Sequence, residues 1–311
     1  MANDPLGKVA PDLQKFIELL PDLSNIGARI DEVRAVLSPP TPLQMGDDGT
    51  IVTEEAMIAR ADGSMMRALV VRPSTPKAAK LPVILHVHGG GYVAGTTDYE
   101  HDDLYRDALN LGCVVISPEY RLAPEHPYPA PLEDVLLAWD WIHSGAGGLG
   151  IDPARSVIRG VSAGGGLACA AVLKLRDKGA LLPALLMAIY PMLDDRTPSH
   201  AHNGAYVWTH ENNVFGWDSY LYGVDRDNPP AYAVPGREED WSQMPPVFLA
   251  SGSIDLFIGE NLAFARKLTD AGVAVEMHVY PGAYHGFPRV PCEAGQALGQ
   301  AASAAIARAF A

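Results

Sequence analysis

The sequence predicts an α/β fold built around a mostly parallel sheet. From residue 51 onward, short apolar runs typical of strands buried on both faces alternate with helical patterns. Strands that alternate with helices form right-handed crossover units, which cover both faces of a sheet. The hydrophobic content of 48% in 311 residues is sufficient for a large core, so the chain as a whole is not disordered.

Two helical patterns precede the first predicted strand. The first covers residues 13–20 and stops at Pro21, and the second covers residues 26–37 and ends at Ser38-Pro39-Pro40. Two short amphipathic helices cannot bury themselves. We therefore expect residues 1–50 to pack on the rest of the chain as a helical cap segment, a lid or a dimer arm.

Eight strands are predicted after these helices. The first two form an antiparallel pair, residues 51–60 and 65–72, around the turn Ala61-Asp62-Gly63. The buried strands that follow cover residues 82–87, 113–118, 156–160, 184–190, 246–252 and 275–280. The helical patterns cover residues 132–143, 164–178, 261–271 and 294–310.

Residues 191–245 interrupt this alternation with a stretch rich in Trp, Tyr, His and Asn. In α/β proteins the site lies at the C-terminal edge of the sheet, and we expect this insertion to lie over that edge. The predicted organisation is thus a cap segment at 1–50 and a catalytic domain at 51–311, with a second cap segment at about 191–225.

Charge and composition exclude several classes of partner. The 23 Lys and Arg against 37 Asp and Glu give a net charge of −14, which disfavours nucleic acid and anionic membranes. No apolar run is long enough for a membrane helix, and the N-terminus shows no signal-peptide pattern. Three cysteines without a CxxC spacing indicate reduced, buried thiols, so we expect a cytoplasmic protein.

The strongest chemical signal is the pentapeptide Gly160-Val161-Ser162-Ala163-Gly164. The pattern Gly-x-Ser-x-Gly occurs by chance in glycine-rich proteins, but here it follows an apolar strand and opens a helix of small residues. This is the setting of a nucleophile elbow, in which a sharp turn exposes the serine. The sequence therefore predicts Ser162 as a nucleophile.

A second glycine-rich motif, His88-Gly89-Gly90-Gly91, directly follows a predicted strand. It can be a simple flexible turn. Beside a nucleophile, however, such a loop can aim backbone N–H groups at the oxygen that becomes negative in acyl transfer. We expect the N–H groups of Gly89, Gly90 and Ala163 to form this oxyanion hole.

A nucleophilic serine requires a base and a carboxylate that orients the base. Asp255 and His285 each follow a predicted strand, so both lie at the edge of the sheet where Ser162 is expected. Their order in the chain, Ser162, Asp255, His285, is the order of an α/β-hydrolase triad.

On these motifs the chain resembles the hormone-sensitive-lipase-like family of bacterial esterases (family IV), within the α/β-hydrolases. The matching segments are residues 88–91, 120–127, 160–165, the strand end with Asp255, and 285–287. The resemblance implies an α/β-hydrolase fold with a helical cap, and hydrolysis of short- to medium-chain carboxylic esters without a metal or organic cofactor. A homodimer through an edge strand and the C-terminal helices is common in such a family.

Three positions depart from the family pattern. The family usually has Asp or Glu where this chain has Val161, and often Asn where it has Gly166. After Asp255 a common second Asp is absent, and Glu260 lies one position later. The triad is complete without these positions, so we expect activity to survive, with Glu260 only a fallback for the acid.

The Pro-rich run at residues 120–127 is dense in Arg, Glu and His, but a structural role is favoured over a catalytic one. We expect it to brace the oxyanion loop from behind, with Arg121 paired to Glu125 or to Glu119. Tyr92 and Trp208 either line the substrate pocket or fill the core of the cap, and we favour the pocket.

Metal binding has little support in the sequence. The histidine pairs at two-residue spacing are His86 with His88 and His200 with His202. Either pair could share one ion on a strand face, but no third ligand accompanies them. The run His101-Asp102-Asp103 is expected to be a solvated loop.

These observations predict a serine carboxylesterase with a small-molecule ester as its substrate. Two other functions stay open on the sequence alone. An acyltransferase or amidase can use the same triad, and a receptor of this fold can bind a small hydrophobic ligand without catalysis. The receptor is disfavoured because such proteins typically lose a triad residue, and this chain keeps all three.

Overall fold

A single sheet of eight strands forms the centre of the protein in a computed structural model that describes residues 5–37, 49–145 and 148–311. The strands are β1 (Ile51–Ala59), β2 (Met65–Pro73), β3 (Leu81–Val87), β4 (Val114–Pro118), β5 (Ile151–Val161), β6 (Leu185–Ile189), β7 (Val247–Gly252) and β8 (Val275–Tyr280). They lie in the order β1-β2-β4-β3-β5-β6-β7-β8. β1, β2 and β4 pair antiparallel, and every pairing from β4 to β8 is parallel.

Helices cover both faces of the sheet. They are α1 (Pro11–Gln14), α2 (Ile30–Leu37), α3 (His101–Leu111), α4 (Ala130–Ser144), α5 (Ala163–Asp177), α6 (His210–Tyr220), α7 (Ile258–Asp270) and α8 (Glu293–Phe310). One core includes Leu132 of α4, Leu167 of α5 and Phe264 of α7, and the other includes Leu104 of α3 and Ile306 of α8. The central strands are buried on both faces, which is why their sequences are continuously apolar.

The predicted fold class is confirmed. Seven of the eight predicted strands agree with the structure to within one residue at each end. The exception is β5, which begins five residues earlier than predicted, because Ile151 already pairs with Leu81 of β3. The four predicted helices agree to within three residues.

Two helices were missed, α3 and α6. His101-Asp102-Asp103 opens α3 instead of forming a solvated loop. His101 is buried, and the apolar face of α3 is carried by Leu104, Tyr105 and Ala108. The polar residues between them hide this helical spacing in the sequence.

The N-terminal segment is less helical than predicted. In the first predicted helix the chain forms only α1 and a 3-10 turn at Ile17–Leu19, and in the second it forms α2. Helices this short gain little from their own hydrogen bonds and depend on packing. The predicted stop at Ser38-Pro39-Pro40 lies outside the described residues. In the second predicted cap segment, α6 is the helix that forms.

No helix in the described ranges has the length and apolar character needed to cross a membrane.

Candidate active site

Ser162 lies at the sharp turn between β5 and α5. Its backbone has φ 56° and ψ −121°, a region that costs a non-glycine residue about 1–3 kcal/mol. The flanking glycines are required by space, since a Cβ at Gly160 would lie 2.1 Å from the carbonyl oxygen of Gly164. A Cβ at Gly164 would lie 2.2 Å from the carbonyl oxygen of Val87. The Gly-x-Ser-x-Gly pattern thus follows from the close packing of β3, β5 and α5.

The structure brings Ser162, His285 and Asp255 together in one hydrogen-bonded chain. Ser162 Oγ is 2.9 Å from His285 Nε2, and His285 Nδ1 is 2.8 Å from Asp255 Oδ2. Asp255 is fully buried, and its other carboxylate oxygen accepts a 2.9 Å hydrogen bond from the N–H of Phe257. A carboxylate facing Nδ1 favours a proton on that nitrogen, which leaves Nε2 free to accept the serine proton.

Aromatic side chains hold the imidazole of His285 in this position. The ring of Tyr190 packs edge-on at 4.7 Å between centroids, and the ring of Phe257 at 5.2 Å. His285 is 5% exposed, so few orientations of the ring are open to it. Tyr190 itself has a positive φ of 36° and directly follows β6.

The glycine loop after β3 touches the nucleophile. A Cβ at Gly89 would lie 3.3 Å from Ser162 Cβ, and Gly90 has φ 123°, with a Cβ there only 1.9 Å from the carbonyl oxygen of Ala94. In the described part of the chain, no hydrogen bond is donated by the N–H groups of Gly89, Gly90 or Ala163. Gly89 and Ala163 are therefore next to Ser162, Gly90 lines the same cavity, and all three N–H groups are unused among the described residues.

The loop is braced from behind by Tyr120. Its hydroxyl donates a 2.9 Å hydrogen bond to the carbonyl of His88, and its ring stacks on the His88 imidazole at 4.1 Å. This is the place that the sequence predicted for the 120–127 run.

The predicted partner of Arg121 is wrong. Arg121 binds Asp134 of α4, through its backbone N–H and its guanidinium, and Arg60 binds the same carboxylate. Glu125 pairs instead with Arg34 of α2. Asp134 is 1% exposed; burial opposes its charge, but the hydrogen bonds from Arg60 and Arg121 outweigh burial and lower the pKa of Asp134.

A cavity of about 260 Å³ lies beside Ser162, and we call it the Ser162 cavity. One wall is apolar and comes from the N-terminal segment and the stretch after β6; its residues include Leu19, Leu20, Pro21, Leu23, Leu37, Val207 and Trp208. The indole of Trp208 packs directly on the glycine loop, since a Cβ at Gly91 would lie 1.9 Å from Cη2 of that ring. Arg34 of α2 fixes the N-terminal segment to this loop, because its Nε donates to the Val93 carbonyl at 2.8 Å.

Tyr92 differs from its expected position. Its side chain is buried, stacks on Tyr220 at 4.2 Å between ring centroids, and donates from its hydroxyl to the carbonyl of Met192. It is not among the described residues that line the Ser162 cavity. The positive φ of 67° at Tyr92 turns the chain so that the side chain enters the core.

Two charged residues in the wall of the Ser162 cavity escaped the sequence reasoning. Glu100 is buried and bonds His86 and Arg289. Burial opposes its charge, but Arg289 and His86 outweigh burial, so the pKa of Glu100 is lowered. Their positions in the sequence carry no signal of this contact, because 189 residues separate Glu100 from Arg289.

His86 and His88 make contacts other than metal ligation. His86 accepts a 2.8 Å hydrogen bond from Nε of Arg159 on its Nδ1 and faces Glu100 with Nε2, while His88 stacks on Tyr120. In the described ranges, no three His, Cys, Asp or Glu side chains are grouped so that they could hold a metal ion.

The structure shows what surrounds Val161 and Gly166, the two departures from the usual elbow pattern. Val161 contributes to the wall of the Ser162 cavity. At Gly166 a Cβ would lie 2.2 Å from the carbonyl oxygen of Met192 and 2.4 Å from the hydroxyl of Tyr92, so no side chain fits there. Glu260 bonds the N–H of Leu193, whereas Asp255 is the acid that faces His285.

Comparisons with known proteins agree with this geometry. A family model described as the alpha/beta hydrolase fold matches residues 84–289. Esterase LipI of Mycobacterium tuberculosis is 31% identical over 282 residues, which cover 90% of this chain and 88% of LipI. Ethyl acetate hydrolase of Pseudomonas putida is 31% identical over 297 residues, which cover 90% of this chain and 92% of that protein.

Among solved structures, a bacterial heroin esterase superposes with a TM-score of 0.88 at 31% identity, covering 99% of this chain and 100% of that protein. Since the family model matches most of the chain and relatives match it nearly end to end, the resemblance seen in the motifs is confirmed. The chain belongs to the hormone-sensitive-lipase-like family of the α/β-hydrolases.

Proposed function

We propose that this chain, a carboxylic ester hydrolase by its family, works through a Ser162–His285–Asp255 triad and a covalent acyl-enzyme. The observation that carries the proposal is the continuous chain of hydrogen bonds from Ser162 Oγ through both nitrogens of His285 to Asp255. A base within hydrogen-bond reach of the nucleophile, with a buried carboxylate behind it, is what such a mechanism requires, and this supports the proposal.

In the first half of the reaction, Ser162 Oγ attacks the ester carbonyl carbon while its proton passes to Nε2 of His285. The carbonyl oxygen becomes negative and accepts hydrogen bonds from the N–H groups of Gly89, Gly90 and Ala163. Asp255 stabilises the imidazolium that forms. The carbonyl then re-forms, the ester C–O bond breaks, and His285 gives the proton to the departing alcohol.

In the second half, water takes the place of the alcohol. His285 removes a proton from the water as it attacks the acyl carbon, and the same N–H groups stabilise the second tetrahedral oxyanion. When the bond to Ser162 Oγ breaks, His285 returns the proton to the serine and the carboxylic acid leaves. Each step uses a group that the chain itself supplies.

The Ser162 cavity supports short- to medium-chain esters as substrates. Its volume of about 260 Å³ and its apolar wall suit a small acyl or alcohol group. A relative that is named an ethyl acetate hydrolase is consistent with a small substrate. We also propose residues 1–50 and about 191–225 as the two parts of the cap, because both supply residues to this wall. A homodimer and a cytoplasmic location stay predictions.

Substitution of the nucleophile tests this function. Ser162→Ala is expected to fold normally and to lose nearly all hydrolysis of p-nitrophenyl acetate and butyrate. Ser156→Ala is the matched control, because it removes a buried hydroxyl from the middle of β5, the strand that ends just before Ser162. An organophosphonate should label the native protein and Ser156→Ala once per chain, and Ser162→Ala not at all.

Substantial turnover by clean Ser162→Ala would refute the assignment. Hydrolysis by the native protein without an adduct at Ser162 would also refute the acyl-enzyme. Product analysis with alcohols and amines added as acceptors separates an acyltransferase or amidase from an esterase, for which water stays the main acceptor.

A further inference from the structure

The backbone of Ser162 is held by the last residue of β6 and by the chain that follows it. The N–H of Ser162 donates to the carbonyl of Ile189 at 2.9 Å, and the carbonyl of Ser162 accepts from the N–H of Met192 at 3.0 Å. Residues 190–193, which we call the post-β6 segment, therefore help to fix the strained conformation of the nucleophile.

The post-β6 segment is irregular and depends on side chains from elsewhere. It begins at Tyr190, which has a positive φ. Asn261 is fully buried and donates from Nδ2 to the carbonyl of Pro191 at 2.8 Å. The Glu260 carboxylate accepts from the N–H of Leu193 at 2.7 Å. Buried backbone groups outside regular structure need such partners to be satisfied.

Both of these side chains come from the first turn of α7. The same helix begins three residues after Asp255, whose carboxylate accepts from the N–H of Phe257 just before the helix. One short stretch of chain thus connects the acid that orients His285 with the side chains that hold the segment behind Ser162.

We infer that Glu260 and Asn261 are positioning residues for the Ser162 nucleophile, acting through the post-β6 segment. The inference rests on the proposed function, because it concerns the geometry of the serine that this function uses. Neither residue is among the described residues that line the Ser162 cavity. Loss of their hydrogen bonds is expected to lower the rate of acylation more than it weakens substrate binding.

The protonation state of Glu260 decides which substitution should be tolerated. Burial raises the pKa of Glu260 to about 8, and the neighbouring Asp194 carboxylate adds to this effect. One Glu260 oxygen accepts from the N–H of Leu193, and the other lies within hydrogen-bond distance of the Thr197 hydroxyl. The Thr197 hydroxyl is also within hydrogen-bond distance of the Asp194 carbonyl. Glutamine keeps a carbonyl oxygen that can accept from Leu193, and it is uncharged like the protonated acid.

The test compares Asn261→Ala, Glu260→Ala and Glu260→Gln. Phe264→Leu is the matched control, because Phe264 lies on the same helix and packs on Trp241, and its side chain has no polar atom that could bond the post-β6 segment. For each protein kcat and KM are measured with p-nitrophenyl butyrate, the active fraction by organophosphonate titration, and Tm by thermal unfolding.

We expect Asn261→Ala and Glu260→Ala to lower kcat per titrated site by about 10- to 100-fold, with KM within about threefold of the native value. Glu260→Gln should restore kcat to within about threefold of native. Phe264→Leu should lower Tm at least as much as the alanine variants but keep kcat per site. The second-order rate of phosphonylation should fall in parallel with kcat.

Unchanged kcat in both alanine variants would overturn the inference, and so would an equal loss in Phe264→Leu. A Glu260→Gln variant as inactive as Glu260→Ala would overturn the role given to Glu260. Failure of the proposed function gives a different result. In that case the native protein either hydrolyses no ester or keeps its hydrolysis after Ser162→Ala.

Discussion

Asp255→Asn is the substitution whose effect the structure defines most sharply. The carboxylate has two separate partners, the N–H of Phe257 on Oδ1 and Nδ1 of His285 on Oδ2. In an asparagine the carbonyl oxygen is expected to stay with Phe257, because a backbone N–H needs an acceptor. The amide NH2 then faces Nδ1 of His285. In the reversed orientation the NH2 would face the N–H of Phe257, which would set two donors against each other.

Facing an NH2 group, Nδ1 of His285 can only be an acceptor, so the ring proton moves to Nε2. In that tautomer His285 presents a donor to Ser162 Oγ and cannot take its proton. Loss of the general base in a triad through this tautomer change lowers kcat by about 10⁴-fold, which corresponds to about 5 kcal/mol of transition-state stabilisation.

The assay is kcat and kcat/KM for p-nitrophenyl acetate at neutral pH, normalised by circular dichroism and thermal unfolding for the folded fraction. Asp195→Asn is the matched control. Asp195 is also almost fully buried, but it pairs with Arg226 and Arg237 away from the triad. We expect this control to lose stability and to keep its activity per folded protein. A loss of less than about tenfold in Asp255→Asn, or an equal loss in Asp195→Asn, would refute the reasoning.

Further predictions concern the brace and the cavity wall. Asp134→Ala leaves the partly exposed guanidinium groups of Arg60 and Arg121 without their shared carboxylate. It should cost about 1.5–3 kcal/mol and lower Tm by about 2–5 °C. Glu133→Ala, half-exposed beside it, should change Tm by less than about 1 °C. Because the pKa of Asp134 is lowered in the folded state, its contribution to the free energy of unfolding is fully present above the ordinary pKa of about 3.9. That contribution is lost as the pH falls below this value and through the lowered pKa. Urea titrations at pH 7 and pH 3 measure it, and an equal destabilisation by Asp134→Ala at both pH values would contradict the prediction. Gly91→Ala should displace the indole of Trp208 and raise KM for p-nitrophenyl butyrate, and adding Trp208→Phe should relieve the clash; a KM unchanged by Gly91→Ala would show that the indole is not fixed there.

The nucleophile elbow can be recognised in the sequence because the residues that its turn requires are neighbours along the chain. The turn at Ser162 needs glycines at positions 160 and 164, and these are part of the pattern that identifies it. The same holds for the glycine loop, where a positive φ at Gly90 and Gly91 is visible as a run of glycines. Strand positions could be read to within a residue because strands buried on both faces must be apolar throughout.

The order of the motifs along the chain also predicted which side chains come together at the site. Ser162, Asp255 and His285 each follow a parallel strand, and the C-terminal ends of parallel strands share one edge of the sheet. Sequence alone therefore determined the fold class and the three side chains that the structure brings into one hydrogen-bonded chain.

Contacts that depend on how separate layers pack were decided only by the tertiary structure. In the sequence Arg121 lies closest to Glu119 and Glu125, and only the placement of α4 selects Asp134 as its partner. The burial of Tyr92 in the core and the contact of Glu100 with Arg289 have the same origin. A side chain's partner is set by distances between elements far apart along the chain, and neither residue type nor spacing along one element encodes those distances.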